Sequence, residues 1–554
     1  MVIRGGAGFA DATIVLFSPD KRFALLVLVL TPLLAWLSFP TSRTPECALV
    51  FAVPALLWAA RTPAWRLYGW TLAVAWSLAW FVLLFWLHHV TIVGLALLAV
   101  FLGGYTALWF LAARWALPRV AAAPVALRVA ALLGLAGAWV VGEWMRGWLF
   151  TGFPWLPLAA SQWQRPLLLA LCPYTGAHGV SFVLILMNLG AAAWVARLVT
   201  APYTERRRWF TPEFTVALVA LLAGTLGLAG ELLHQSRRPW VSVGLVQPYI
   251  PQTLKWDPAA ARENLRILEA ETAKVAAGRP DLLLWPEAAV PYIMKVQPQL
   301  AGWFEAQAKG AGAPLLSGVV VMEDAHLPTE RWFNAAAAID PERGVQPEYY
   351  AKRHLVPFGE YVPLHAVFGW LKKFVPIGDD FRAGTNARPL VLSTQGGPVA
   401  AGVLICYEDV FPDLSRASVA AGAEVLVNLT NNAWYGEGAA AYQHAAHSAL
   451  RAAETRRPVV RVGNGGWSGW FDEHGGMRAE LTDARGSVYF RGGDTVRLTR
   501  DERWVGRLTP YVVHGDWFVA VCAALAALAA LRVGRLQPGG TAKVQPGGAV
   551  GERA

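Results

Sequence analysis

The chain has 554 residues, of which 55% are hydrophobic and only 16% charged, with 27 tryptophans and a formal net charge of +10. A soluble globular protein carries about 25% charged residues, so this composition excludes a chain that is soluble throughout. The basic excess does not point to nucleic acid, because many of the arginines sit between apolar segments, as the flanks of membrane spans do.

In chain order, apolar runs at 23–39, 70–88, 91–112, 126–145, 178–196, 213–233 and 514–531 are long enough to cross a bilayer, for which about 20 residues suffice. A shorter run, CALVFAVPALLWAA at 47–60, completes a set of about eight. Eight spans put both termini on one side, together with Lys21, Arg22, Arg61, Arg66, Arg114, Arg119, Arg128, Arg197, Arg206, Arg207, Arg208, Arg532 and Arg535. The outside loops before residue 235 hold only Arg43, Arg146 and Arg165. The positive-inside rule therefore makes the termini cytoplasmic and sends segment 235–512 to the outer face. No small-residue cleavage site follows the first run, so it reads as a retained helix. The aromatic stretch 146–177, with Trp148, Phe153, Trp155 and Trp163, is too irregular to span and is expected at the outer interface. The domain limits follow as 1–234 (about seven spans), 235–512 (outer domain), 513–532 (final helix) and 533–554, a QPGG-repeat tail expected to be disordered.

From Trp240 the pattern changes. WVSVGLVQ, DLLLWPE, APLLSGVVV, WFNAAAAID, VAAGVLICYE and AEVLVNLTN read as strands, with helices predicted at 258–277, 297–310 and 441–454. Such alternation implies a layered α/β domain, in which functional residues gather where strands end. Three ends stand out: Glu287 closes DLLLWPE, Lys352 follows a Tyr-Tyr pair, and Cys406 closes VAAGVLIC. Taken singly, each has a bland reading: a helix-start charge, a solvated lysine and a small core residue. Together they form a chemical set. A thiol needs a base or a nearby cation to act as a nucleophile, and a lysine can stabilise both the thiolate and an oxyanion.

The ordered stretches WPE, YAKRHLVPFGEY and ICYED resemble the carbon–nitrogen hydrolase (nitrilase) superfamily, and the membrane frame is similar to its apolipoprotein N-acyltransferase family. Further matching stretches are VQPYIPQTLKWDP and NLTNNAWYG. The resemblance implies an αββα sandwich with Glu287 as general base, Lys352 as oxyanion and thiolate stabiliser, and Cys406 as nucleophile. It implies supporting roles for Glu360, Tyr407 and Glu408, and substrate-access roles for Trp256 and Trp434. No cofactor and no metal is expected. The implied reaction carries the sn-1 acyl chain of a phospholipid, phosphatidylethanolamine being the expected donor, through a Cys406 thioester to the amine of a diacylglyceryl-cysteine on an apolipoprotein. The implied place is the bacterial inner membrane with the catalytic domain in the periplasm, and a monomer is expected.

Other signals are weaker. His444 and His447, spaced i, i+3, lack a third ligand motif and read as packing or surface residues. GNGGWSGW at 463–470 lacks the lysine of a phosphate loop and reads as turn chemistry. Cys47, Cys172 and Cys522 lie in or beside spans, leaving Cys406 the single cysteine of 235–512. Loops 249–257 and 360–383 are candidate lids. Two competing functions are a membrane-tethered amidase, which needs no set of spans, and a transporter or receptor with a ligand-binding outer domain. The latter predicts ionisable groups inside spans, where only Glu143 and Glu231 occur, each near an end.

Overall fold

The structure is a computed structural model that describes residues 19–201, 209–233, 236–294, 297–362 and 381–537. Arg206 to Arg208, most of the second candidate lid and the QPGG repeats lie outside the described residues. The helical half comprises α1 (Pro19–Ser38), α2 (Val53–Ala60), α3 (Trp65–Leu83), α4 (Ile92–Val120), α5 (Val125–Arg146), α6 (Ala177–Thr200) and α7 (Pro212–Leu233). Among the described residues, five helices are long and apolar enough to cross a membrane: α1, α4, α5, α6 and Trp517–Gly534 near the C-terminus. The run 47–60 is not one continuous helix. It divides into a turn at Pro45–Leu49 and the short α2. Asn188 of α6 patches the break, accepting from Ala52 N–H (2.8 Å) and donating to the Ala48 carbonyl (2.8 Å). Backbone freed in apolar surroundings needs such partners.

The last helix packs along α5 through small residues. A Cβ placed on Gly134 would lie 2.3 Å from that of Ala529, so the two backbones touch where glycine permits. Glu143, near the end of α5, accepts from Trp139 Nε1 (2.9 Å) and Leu158 N–H (2.8 Å), a structural use of an acid at a span end. The side chain of Glu231 lies outside the described residues. In the 146–177 stretch Trp148 and Phe150 are exposed, as an interface belt requires. Trp155 and Trp163 are not: both are buried, Trp163 against Phe471 of the outer domain. The expectation of an interfacial belt fails for these two because apolar protein surface, rather than lipid, covers them.

The outer half is two six-membered strand paths stacked face to face. One runs β13 (Gly492–Asp501), β1 (Arg237–Gln247), β2 (Leu282–Trp285), β4 (Leu315–Glu323), β5 (Arg331–Asp340) and β6 (Gly344–Ala351), with the two-residue β3 (Ile293–Met294) paired to β4; the other runs β12 (Met477–Glu480), β11 (Gly469–Phe471), β10 (Val459–Asn464), β9 (Val425–Asn431), β8 (Gly397–Ile405) and β7 (Leu390–Thr394). Those that position the site are β1, β2, β4, β5, β6, β8, β9 and β10. Side chains alternate faces with period two. Leu282 and Leu284 of β2 enter the core between the sheets with Val403, Ile405, Val427 and Val460, whereas Leu283 and Trp285 face outward. Helices α8 (Ala261–Ala276) and α9 (Pro298–Ala311) cover that outer face through Leu268, Val275 and Phe304. Helices α10 (Pro412–Ala420) and α11 (Ala439–Thr455) cover the other sheet and share one continuous core with the helical half. The order α–β–β–α matches the expected sandwich.

Candidate active site

β1, β2 and β4 run parallel, as do β8, β9 and β10. Parallel strands bring their C-terminal ends to one edge, and the site is assembled there. Glu287 follows β2, Lys352 follows β6 and Cys406 follows β8. Gly318 on β4 makes room for the first of these: a Cβ there would sit 2.5 Å from the Glu287 Cα.

The structure brings the three residues together with Glu360 and Glu408. Lys352 Nζ lies 2.9 Å from Glu360 Oε2 and 3.7 Å from Glu287 Oε1, and only 1% of Lys352 is exposed. Burial would lower the lysine pKa, but Glu360 and Glu287 outweigh it and hold the ammonium above its ordinary value. Glu287 Oε2 accepts from the Asn431 N–H at 2.9 Å, and that N–H and the Thr430 side chain both favour the charged form of the Cys406 thiol. Burial and the Glu287 charge push the thiol up to about 12, with Lys352 opposing. At rest Cys406 is a protonated thiol beside a carboxylate and a cation, so proton removal and charge stabilisation are both at hand.

Cys406 itself sits at φ +54°, in the left-handed region. For a non-glycine residue this conformation costs ~1–3 kcal/mol and persists only where its surroundings impose it. Leaving the strand ladder at this angle turns the side chain out of the sheet. Glu408 helps impose the bend: its carboxylate accepts from the N–H groups of Ile405 (2.7 Å), Arg353 (2.6 Å) and His354 (3.1 Å) and from the Tyr350 hydroxyl (2.8 Å). It thereby ties the segment after Lys352 to the segment around Cys406. Tyr407 points the other way, stacked on Trp155 and edge-on to Phe411.

Trp256 and Trp434 sit on loops near this edge, 46% and 47% exposed. Their sequence neighbours turn inward instead. Tyr435 is half-buried against Trp86 of the helical half. Lys255 is 2% exposed and donates to the Glu287 carbonyl at 2.9 Å, with burial pushing its pKa down to about 8. Lys255, Asn431 and Asn334 belong to the site without having stood among the residues expected from sequence. Asn334 Nδ2 donates to Glu287 Oε1 (2.8 Å) and Glu360 Oε1 (2.7 Å), and its carbonyl accepts from the Lys352 N–H (2.8 Å). The signal for it was present: an asparagine interrupting the apolar strand WFNAAAAID.

His444 and His447 are buried, as packing residues rather than surface ones. Among the described residues one cluster brings metal-type donors within 4.8 Å, Glu473, His474 and Asp501. Arg237 on Glu473 (3.1 Å) and Arg503 on Asp501 (3.0 Å) already supply the positive charge there, so the cluster reads as an ion-pair knot. An apolar cavity of about 360 Å³ opens inside the helical half, lined by Phe39, Trp76, Trp109, Ala138 and Trp139, with Arg146 and Leu156 also in its wall.

A family model described as carbon-nitrogen hydrolase matches residues 242–492, and one described as the apolipoprotein N-acyltransferase N-terminal domain matches residues 32–190. The apolipoprotein N-acyltransferase of Geobacter metallireducens is 33% identical over 531 residues, covering 93% of this chain and 96% of that one. That of Methylococcus capsulatus is 34% identical over 401 residues, 72% of this chain and 73% of its own. Among solved structures, an amidase from Nesterenkonia sp. is 19% identical over 51% of this chain and 98% of its own, with a TM-score of 0.35. Two domain matches in the expected order and a relative aligned over nearly the whole length lead to one conclusion: the chain belongs to the apolipoprotein N-acyltransferase family.

Proposed function

We propose that this protein moves the sn-1 acyl chain of a phospholipid onto the α-amine of a diacylglyceryl-cysteine at the start of an apolipoprotein. The observation that carries the reading is Cys406, held at a left-handed strand end within one hydrogen-bond network with Glu287 and beside Lys352. Glu287 takes the thiol proton as sulfur attacks the sn-1 ester carbonyl, and Lys352 balances the negative charge that grows on that oxygen. The ester C–O bond breaks, the proton passes to the departing lysophospholipid, and the acyl group remains as a thioester. The lipoprotein amine then attacks the thioester carbonyl. A C–N bond forms, the C–S bond breaks, and Glu287 relays the amine proton back to sulfur. Glu360 orients Lys352, Glu408 fixes the bend at Cys406, Tyr407 faces the helical half, and Trp256 and Trp434 line the approach.

The same reading keeps eight spans, with α2, α3 and α7 added to the five long apolar helices, both termini cytoplasmic and the sandwich periplasmic. It keeps the domain limits 1–234, 235–512, 513–532 and 533–554, phosphatidylethanolamine as donor and a monomer as the working unit. The cavity of about 360 Å³ supports it by giving an acyl chain an apolar, aromatic-lined place in the helical half. Keeping water away matters, since a hydrolysed thioester would make the enzyme a lipase. The test is purified protein with a fluorescent phospholipid and a diacylated lipopeptide. Triacylated product that disappears with Cys406→Ala supports the reading, and ammonia release from simple amides without acyl transfer overturns it.

A further inference from the structure

Behind the nucleophile lies a buried polar network that the reaction above leaves unused. His444 Nε2, on α11, is 3.0 Å from the Cys406 carbonyl oxygen and 2.9 Å from Asp409 Oδ1. Both neighbours are acceptors, so Nε2 carries the proton; it donates to the Cys406 carbonyl, with Asp409 Oδ1 in close charge contact. Asp409 is fully buried and also accepts from Arg461 (2.7 Å) and Ser448 (2.7 Å). Burial alone would disfavour its charge, but His444 and Arg461 outweigh that and hold the carboxyl below its ordinary range. A fixed anion therefore orients the imidazole, and the imidazole grips the main chain of the nucleophile. Asn428 Nδ2 holds the same carbonyl from the other side at 3.0 Å.

The carbonyl needs these partners for a definite reason. Cys406 has left the β8 ladder at φ +54° and opens the 3-10 turn Cys406–Val410, so its oxygen is served by that turn and by side chains rather than by a strand neighbour. Buried carbonyls are stabilised by full hydrogen bonding, and two side-chain donors added to the turn reinforce the left-handed conformation. The helical half then braces the donor. Trp155 lies over both His444 and His447, with ring centroids 5.4 Å apart in each case. Trp155 and Trp86 each donate to Gln443 Oε1 at 2.9 Å, one residue before His444.

We propose that the Asp409–His444 pair, braced by Trp155, is a positioning device that holds the bend at Cys406 and so aims its thiol; the inference rests on Cys406 being the nucleophile. It acts through the main chain and touches no substrate. It also links the seating of the membrane helices to nucleophile geometry, because the brace and the imidazole come from different halves of the chain.

The test compares two replacements of similar length, His444→Gln, which keeps an N–H donor, and His444→Met, which does not. In the full-length enzyme with fluorescent phosphatidylethanolamine, His444→Met should slow acyl-thioester formation on the order of 10- to 100-fold, the loss expected for one hydrogen bond to a buried carbonyl. KM for the phospholipid should stay within about twofold, since only the attack geometry changes. His444→Gln should recover most of the rate at a matching melting temperature. Equal rates for Gln and Met overturn the proposal, as does a loss that follows melting temperature alone. Should His444→Met fail to fold, the near-isosteric Asn428→Leu removes the other donor to the same carbonyl and should slow the same step. An unchanged rate there overturns the proposal too. Cys406→Ala separates the two claims. Transfer that survives it removes the nucleophile assignment, whereas its loss together with a wild-type rate in His444→Met removes the positioning role only.

Discussion

Replacing Asn334 by leucine is the most informative perturbation of the carboxylate side of the site. The side chain is nearly isosteric and mostly buried, so volume changes little while one shared donor is lost. That donor serves Glu287 at 2.8 Å and Glu360 at 2.7 Å. Each hydrogen bond to a charged acceptor is worth about 1.5–3 kcal/mol. The two are not additive, because Glu287 keeps the Asn431 N–H and Glu360 keeps the Val356 N–H and Lys352. A net loss of about 2–4 kcal/mol, at about 1.4 kcal/mol per tenfold, corresponds to roughly a 30- to 1000-fold fall in kcat/KM. With both carboxylates less fixed, the fall should appear in kcat and in the rate of thioester formation, with KM for the phospholipid little changed. Single-turnover acylation by fluorescent phosphatidylethanolamine separates these. A kcat within about threefold of wild type, in a variant that melts at the wild-type temperature, would refute the shared-donor argument.

Two further predictions address the thiol and the cavity. Because burial and Glu287 push Cys406 up to about 12, alkylation by iodoacetamide should keep climbing about tenfold per pH unit from 7 through 9; a plateau in that range would reveal a preformed thiolate. The same upward shift means that the native state keeps a proton which an unfolded thiol releases near pH 9. The stability so gained is therefore complete below pH 9 and lost as the pH rises toward 12. Ala138→Phe narrows the apolar cavity, and should raise KM for long-chain phospholipids several-fold, by about 1 kcal/mol of overpacking, while leaving kcat nearly unchanged. An equal KM for short- and long-chain donors in that variant would remove the acyl chain from the cavity.

The strand ends were legible because apolar runs that stop at a polar residue mark where a sheet opens to chemistry. Glu287, Lys352 and Cys406 stood at such ends in sequence, and parallel strand direction brought the ends to one edge. The late strands β10 to β13 were not legible. β11 and β12 are short, β13 is glycine-led and charged (GGDTVRLTRD), and these three are fixed by antiparallel pairing to strands already in place, whereas β10 is fixed by parallel pairing to β9. Lys255 and Tyr435 were hidden beside Trp256 and Trp434, because a loop sequence does not say which of two neighbours turns inward. His444 shows the same limit. Its i, i+3 spacing with His447 suggested only packing or surface residues, whereas its particular partners, Asp409 and the Cys406 carbonyl, come from another segment. The run 47–60 read only as a span of marginal length; its division, repaired by Asn188 of α6, depends on a contact across 136 residues.

The central claim is that an acyl group rests on Cys406 between donor and acceptor. Incubating the purified enzyme with phosphatidylethanolamine and no lipopeptide, then weighing the intact protein and its peptides, tests it most directly. The mechanism predicts a single added acyl group on the peptide containing Cys406, released by neutral hydroxylamine, consumed on adding diacylated lipopeptide, and missing in Cys406→Ala. Triacylated product formed with no such adduct, or with the acyl group on another residue, would contradict it.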